Sequence, residues 1–187
     1  MIKVLTVLLG LTKIIRAEIK ERLNTEDYIY AYDLLMNFLK EESREQIVNP
    51  EEEESSILDF KIFYLIIILT SKNLYIQNHI FENFNFLEII ENLSVKFLKQ
   101  FKSLTSLKDK TTEGEKRILG KKIYKFLEMI YYLMINNDER KEQIHEKCAN
   151  FKSLLDYSQQ QMYNILEEKD LKSDVMNMIN KVFSNIL

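Results

Sequence analysis

His145 and Cys148 stand three residues apart near the second of two polar breaks, and His79 lies near the first. A three-residue step puts two side chains on one face of a helix, close enough to share a metal ion or to act as a thiol–imidazole pair. A closed zinc site needs two further ligands, and His79 belongs to a different part of the sequence. A nucleophilic pair needs a third group to orient the base, and none is evident nearby. Cys148 therefore reads as a small core residue at a helix end. Glu113, Glu115 and Glu128 offer carboxylates, but no spacing marks two of them as a facing acid and base. Three isolated glycines cannot build a phosphate-cradling loop. The inventory predicts a non-enzymatic protein without cofactor or metal.

Cations give the second candidate. From Lys96 to Lys122 nine Lys and Arg residues face three acidic ones, a local charge of +6 that leaves −9 for the rest of a chain of net charge −3. Most of this charge reads as a solvated helix face and loop. As a site, Lys108, Lys110, Lys116 and Arg117 would hold an anionic partner such as an acidic segment. Nucleic acid is not expected, because the segment has few exposed aromatic residues for base stacking and the chain has no overall basic field.

The elements that would carry these residues are helical. Three Gly and one Pro among 187 residues, where average usage gives roughly 22, exclude folds rich in tight turns. Apolar positions Leu5, Leu8, Leu9, Ile15 and Ile19 recur at helical steps, as do Tyr28, Tyr32, Leu35 and Leu39 in a second helix capped by Asn24 or Thr25. Asn49-Pro50 and the run Glu51 to Glu54 break the pattern. Ser55 or Ser56 caps a third helix to about Thr70 whose continuous apolar core predicts burial on nearly all sides. Further helices are predicted at about Leu74 to Asn83, Phe86 to Leu104, Glu115 to Ile135, Asp138 to Cys148, Phe151 to Glu168 and Leu171 to Ile186, with Lys108 to Glu115 an exposed loop. The longest apolar run, Ile62 to Leu69, is too short to cross a bilayer, and one cysteine fits a reducing compartment, so a soluble, cytoplasmic protein is expected.

An internal repeat orders these helices. At an offset of 64, Leu69 lies over Leu133, Asn73 over Asn137, Ile80 over Ile144 and Glu82 over Glu146; after one inserted residue, Asn85 lies over Asn150, Phe86 over Phe151 and Ile89 over Leu154. Each copy is a long apolar helix, a break, a short helix and a second long helix, which is the logic of stacked helical units. The expected fold is all-α, a right-handed armadillo-like solenoid of eight or nine helices. It would form one domain over 1–187, with a helix pair at 1–48, a first unit at 56–107 and a second unit with the C-terminal helix at 115–187. A plain helical bundle is the alternative.

The second copy, with Asn136, Asn137, Arg140, Lys141, Gln143, Asn150 and Phe151, resembles the armadillo-like helical region, or RIH domain, shared by ryanodine and inositol trisphosphate receptors. Asn73, Gln77, Asn85 and Phe86 are similar to its preceding unit, and the resemblance spans about residues 57–187. It implies an interaction module that relays movement between domains of a calcium-release-channel-like protein on the cytosolic face of an internal membrane. It also implies that Arg140 and Lys141 match a basic pair that grips phosphates in the inositol trisphosphate receptors. Glu139 stands where a tyrosine is expected, and Ile76, Asn78 and Phe81 stand at positions where the family carries cations, so inositol trisphosphate is not an expected ligand. The second expectation is a stand-alone adaptor that binds a peptide or protein in a groove. Exposed apolar faces on the outer helices would favour the first reading and polar ones the second. The apolar ending Val182-Phe183-Ser184-Asn185-Ile186-Leu187 leans toward the first.

Overall fold

A computed structural model describes residues 33, 36, 37, 39–41, 43, 44, 62–64, 66, 67, 70, 74–106 and 112–186. Among them the regular structure is entirely helical, with no strand. Six helices are bounded: α1 (Leu74–Asn83), α2 (Phe86–Ser106), α3 (Glu113–Met134), α4 (Asp138–Lys147), α5 (Ala149–Ile165) and α6 (Lys169–Ile186). Helical residues between 33 and 44 and between 62 and 70 precede them. The predicted helix over residues 2–23, the acidic break at 51–54, and Lys108 and Lys110 lie outside the described residues.

The ends of these helices follow from local chemistry. Thr112 accepts a hydrogen bond from the backbone N–H of Glu115, whose side chain accepts one from the N–H of Thr112, a reciprocal cap that starts α3 two residues before the predicted position. Asn137 opens α4 by accepting from the N–H of Arg140 at 3.0 Å. Asn85, with φ of 23°, makes the tight turn into α2, in a backbone region that Asn tolerates better than most residues. Leu166 adopts an extended conformation and ends α5 at Ile165, short of the predicted Glu168.

Packing pairs helices three apart in the chain. α2 lies along α5 and α3 along α6, with lesser contact of α2 on α3 and of α5 on α6. Both main pairs run in the same direction. Near the starts of α2 and α5, Glu91 meets Asn150; farther along, the rings of Phe101 and Tyr157 stand 5.2 Å apart, edge to face. At the start of α3, Arg117 meets Glu168, and Gly120 faces Leu166, where an added Cβ would stand 3.0 Å from both methyl groups. α1 and α4 start and end 64 residues apart, and several of the positions paired by the repeat share one environment, although Asn85 is exposed and Asn150 half-buried, and Leu69 and Asn73 lie outside the described residues. Ile80 and Ile144, Phe86 and Phe151, and Ile89 and Leu154 are all buried, while Glu82 and Glu146 are exposed.

One aromatic cluster centres the core. Phe126 of α3 stands 5.6 Å from Phe63, 5.2 Å from Phe97 and 6.1 Å from Phe151, so it touches both copies of the repeat at once. Such ring pairs contribute about 0.5–1.5 kcal/mol each beyond their buried area. Along α6, Leu171, Val175, Met178, Ile179, Val182 and Ile186 are buried, and Ser173, Asp174, Asn177, Asn180, Ser184 and Asn185 are exposed. Val182 and Ile186 of the apolar ending are therefore turned inward, and the exposed residues along the described part of α6 are polar.

Candidate functional site

The end of α3 is held by side chains from both short helices. The last four carbonyls of an α-helix have no partner within it, so each needs one from elsewhere. In α3 the N–H of Ile135 bonds the Tyr131 carbonyl at 2.9 Å, and the N–H of Asn137 bonds that of Met134 at 2.9 Å. The two between them are taken by long bonds: Gln77 Nε2 of α1 donates to Tyr132, and Arg140 Nη1 of α4 donates to Leu133, each at 3.4 Å. All four carbonyls are thus satisfied, one by Gln77, 55 residues away in the chain, and one by Arg140, seven residues on. Gln77 also donates to the carbonyl of Thr70 at 3.0 Å, seven residues back, as Arg140 does to Leu133. The same device closes the break in both copies.

Arg140 is 6% exposed. Its Nη2 donates to Asn78 Oδ1 of α1, and its guanidinium stacks 4.3 Å from the centre of the Phe81 ring. Among the described residues its contacts are a carbonyl, an amide oxygen and an aromatic face. Glu82 and Glu139 act on it through their charge, and the end of α3, where the helix dipole places partial negative charge, also favours a cation, by up to about 2 kcal/mol when partly buried. Burial lowers the affinity of this guanidinium for its proton, and the charges of Glu82 and Glu139 oppose that shift. Around the group, Asn78, Phe81 and Glu82 of α1 face Asn137, Glu139 and Gln143 across a half-open cleft of about 320 Å³.

The other predicted cations are dispersed. Lys141 pairs with Asp138 at 2.6 Å and holds that carboxyl below the usual aspartate range, chiefly through the hydrogen bond. Lys116 pairs with Glu113 at 3.6 Å, and Arg117 with Glu168 at 2.7 Å. Arg117 and Leu133, whose carbonyl Arg140 bonds, are separated by most of the length of α3, roughly 24 Å at 1.5 Å per residue. The structure therefore does not bring Arg140 and Arg117 into one basic site. Lys96 and Lys122, read from the sequence as part of a solvated face, are buried.

Cys148 and His145 also part company. The cysteine is buried between α4 and α5, its Sγ 3.7 Å from the Leu87 carbonyl, whereas His145 is exposed. Burial, reinforced by the charge of Glu91, pushes the thiol up to about 12, which keeps it protonated and unreactive at neutral pH. Among the described residues no group of three or more His, Cys, Asp or Glu is placed to hold a metal ion.

Two features were absent from the sequence reading. Glu91 of α2 receives the backbone N–H groups of Asn150 and Phe151 at 3.0 and 3.3 Å and the Asn150 amide at 2.6 Å, capping α5 from a neighbouring helix. Lys125 Nζ lies 2.5 Å from Glu128 and over the rings of Tyr124 and Tyr64, at 5.0 and 5.5 Å from their centres, joining α3 to the residues between 62 and 70. The Tyr124 hydroxyl is raised above its ordinary range by burial first, then by Glu128 and Asp174. A cap supplied across 59 residues leaves no local trace, and the i,i+3 spacing of Lys125 and Glu128 does not reveal the contact with Tyr64.

No protein-family model, curated protein or solved structure matches the chain. Among the described residues no helix is long and apolar enough to cross a membrane.

Proposed function

We propose that the chain is a non-enzymatic, armadillo-like helical scaffold that acts by binding a protein partner along the surface of α3 and α6. The observation that carries this reading is the same-direction pairing of helices three apart, α2 with α5 and α3 with α6. A closed bundle with short connections alternates directions, while stacked units repeat them by translation and lay equivalent helices side by side. On α3, Tyr124, Glu128, Tyr131 and Tyr132 recur at steps of three and four, and Tyr132 is 38% exposed. Tyrosine is enriched at protein interfaces because it offers a rigid apolar ring with a polar tip. α6 lies along α3 and presents the exposed Asp174 and Asn177.

The RIH-type relay is one form of this scaffold, in which movement at one contact shifts the stack as a body. The polar outer surface of α6 favours the other form, an adaptor whose partner is a peptide or protein, over packing of α6 against a neighbouring domain.

A photo-cross-linking amino acid placed at Tyr132, compared with one at Gln160 on α5, tests the reading in cells that express the protein. A discrete protein adduct from position 132 and none from 160 is expected. Adducts from both positions alike, or from neither, overturn the assignment.

A further inference from the structure

We infer that Arg140 couples the two units, making α1, the end of α3 and α4 move as one body, and that it does so through the direction of its contacts and not by adding net stability. The inference rests on the stacked-unit reading and concerns how displacement passes through it. Arg140 sits on α4 but spends its guanidinium on other elements: Leu133 on α3, and Asn78 and Phe81 on α1. A planar fork reaches a carbonyl, an amide oxygen and a ring face together in only one relative placement of the three helices. Gln77 beside Asn78 holds the adjacent carbonyl of α3, so a shift of α1 has to pull on the same helix end that Arg140 grips.

Net stabilisation is a poor explanation for this residue. A buried cation loses most of its hydration, and that loss offsets much of what its hydrogen bonds return. The bond to Leu133 is long, and the aromatic contact is non-covalent and weak by itself. What an apolar substitute cannot supply is direction.

Hydrogen exchange of the full chain reads this out. In the wild-type protein the amides of Ile80 and Phe81 in α1 and of Leu154 and Leu155 in α5 are expected to lose protection together as denaturant is added, the mark of one cooperative unit. In Arg140→Met the α1 amides should exchange about tenfold faster while the α5 amides stay within about twofold of wild type. Arg140→Lys keeps the charge at the end of α3 but lacks the fork, and is expected to follow Arg140→Met. Equal acceleration in α1 and α5 would mean that Arg140 only stabilises, and no change in either would mean that it does nothing; both overturn the inference. A wild-type pattern in Arg140→Lys overturns it too, because charge alone would then suffice. Failure of Arg140→Met to fold would overturn it as well, since Arg140 would then supply net stability; Asn78→Ala, which removes only the acceptor on α1, repeats the exchange test and is expected to follow Arg140→Met. The cross-linking result at Tyr132 is independent: loss of that adduct removes the partner surface without touching the exchange pattern, and the reverse holds equally.

Discussion

Two junctions join the helices before residue 107 to those after residue 112, and they are made of different material. At the centre, Phe126 meets Phe63, Phe97 and Phe151 in a dry aromatic cluster. At the end of α3, Gln77, Asn78, Phe81 and Arg140 form a clamp of hydrogen bonds around one buried cation. The aromatic junction has large surface and weak directionality: rings stay in favourable contact over a range of tilts, here 47 to 84° between planes. The polar junction has little surface and strong directionality, because a donor that misses its acceptor leaves a buried group unpaired. Affinity between the units therefore resides at the centre and their relative placement at the rim.

The sharpest way to break this division is Phe126→Ala. Removing the ring common to both copies is expected to cost about 3–5 kcal/mol of unfolding free energy by denaturant titration. Phe126→Leu should cost less than about 1.5 kcal/mol if its neighbours repack. A loss under about 1 kcal/mol in Phe126→Ala would move the centre of affinity elsewhere.

Glu91→Ala tests the rim away from Arg140. It strips the cap from the first N–H groups of α5, and a cost of about 1–2 kcal/mol is expected in the same titration. Glu91→Gln, which keeps one acceptor oxygen, should recover part of it.

The smallest effect belongs to Lys141. In Lys141→Ala the carboxyl of Asp138 loses the hydrogen bond and nearby charge that hold it low, and its titration, followed by NMR, should rise to the ordinary aspartate value. The sign follows from the depressed carboxyl: the pair contributes while Asp138 is ionised, above its unfolded-state value, and that contribution disappears as pH falls through the lowered folded value. The side chain of Asp138 is 96% exposed, so thermal stability at neutral pH should barely change.

How far the sequence revealed all this differs between the two junctions. The helices that bear the aromatic cluster announce themselves by period, and the 64-residue offset places α1 and α4 at the same point of each copy. The start of α3 was legible too, since Thr112 and Glu115 have the spacing of a reciprocal cap, but the polar stretch around them reads as loop. The clamp was not legible. Arg140 lies in a helix whose ten residues include seven charged ones, and such a segment reads as wholly solvated. Its burial depends on Asn78, 62 residues away, and on carbonyls that become available only where α3 stops. Lys96 and Lys122 fail for the same reason: charge spacing describes one helix, and burial is decided by the neighbours that pack on it.

The same-direction pairing of α2 with α5 has a consequence for how the protein is made. The contacts that cover Phe101 and cap α5 join residues 52 to 60 apart in the chain. At synthesis rates of about 5–20 residues per second, α2 must wait roughly 3–12 s for its cover to be translated. For that time Phe101, buried in the finished fold, lacks the Tyr157 ring that covers it. A nascent chain of this design should engage chaperones for one interval, when α2 has emerged and α5 has not.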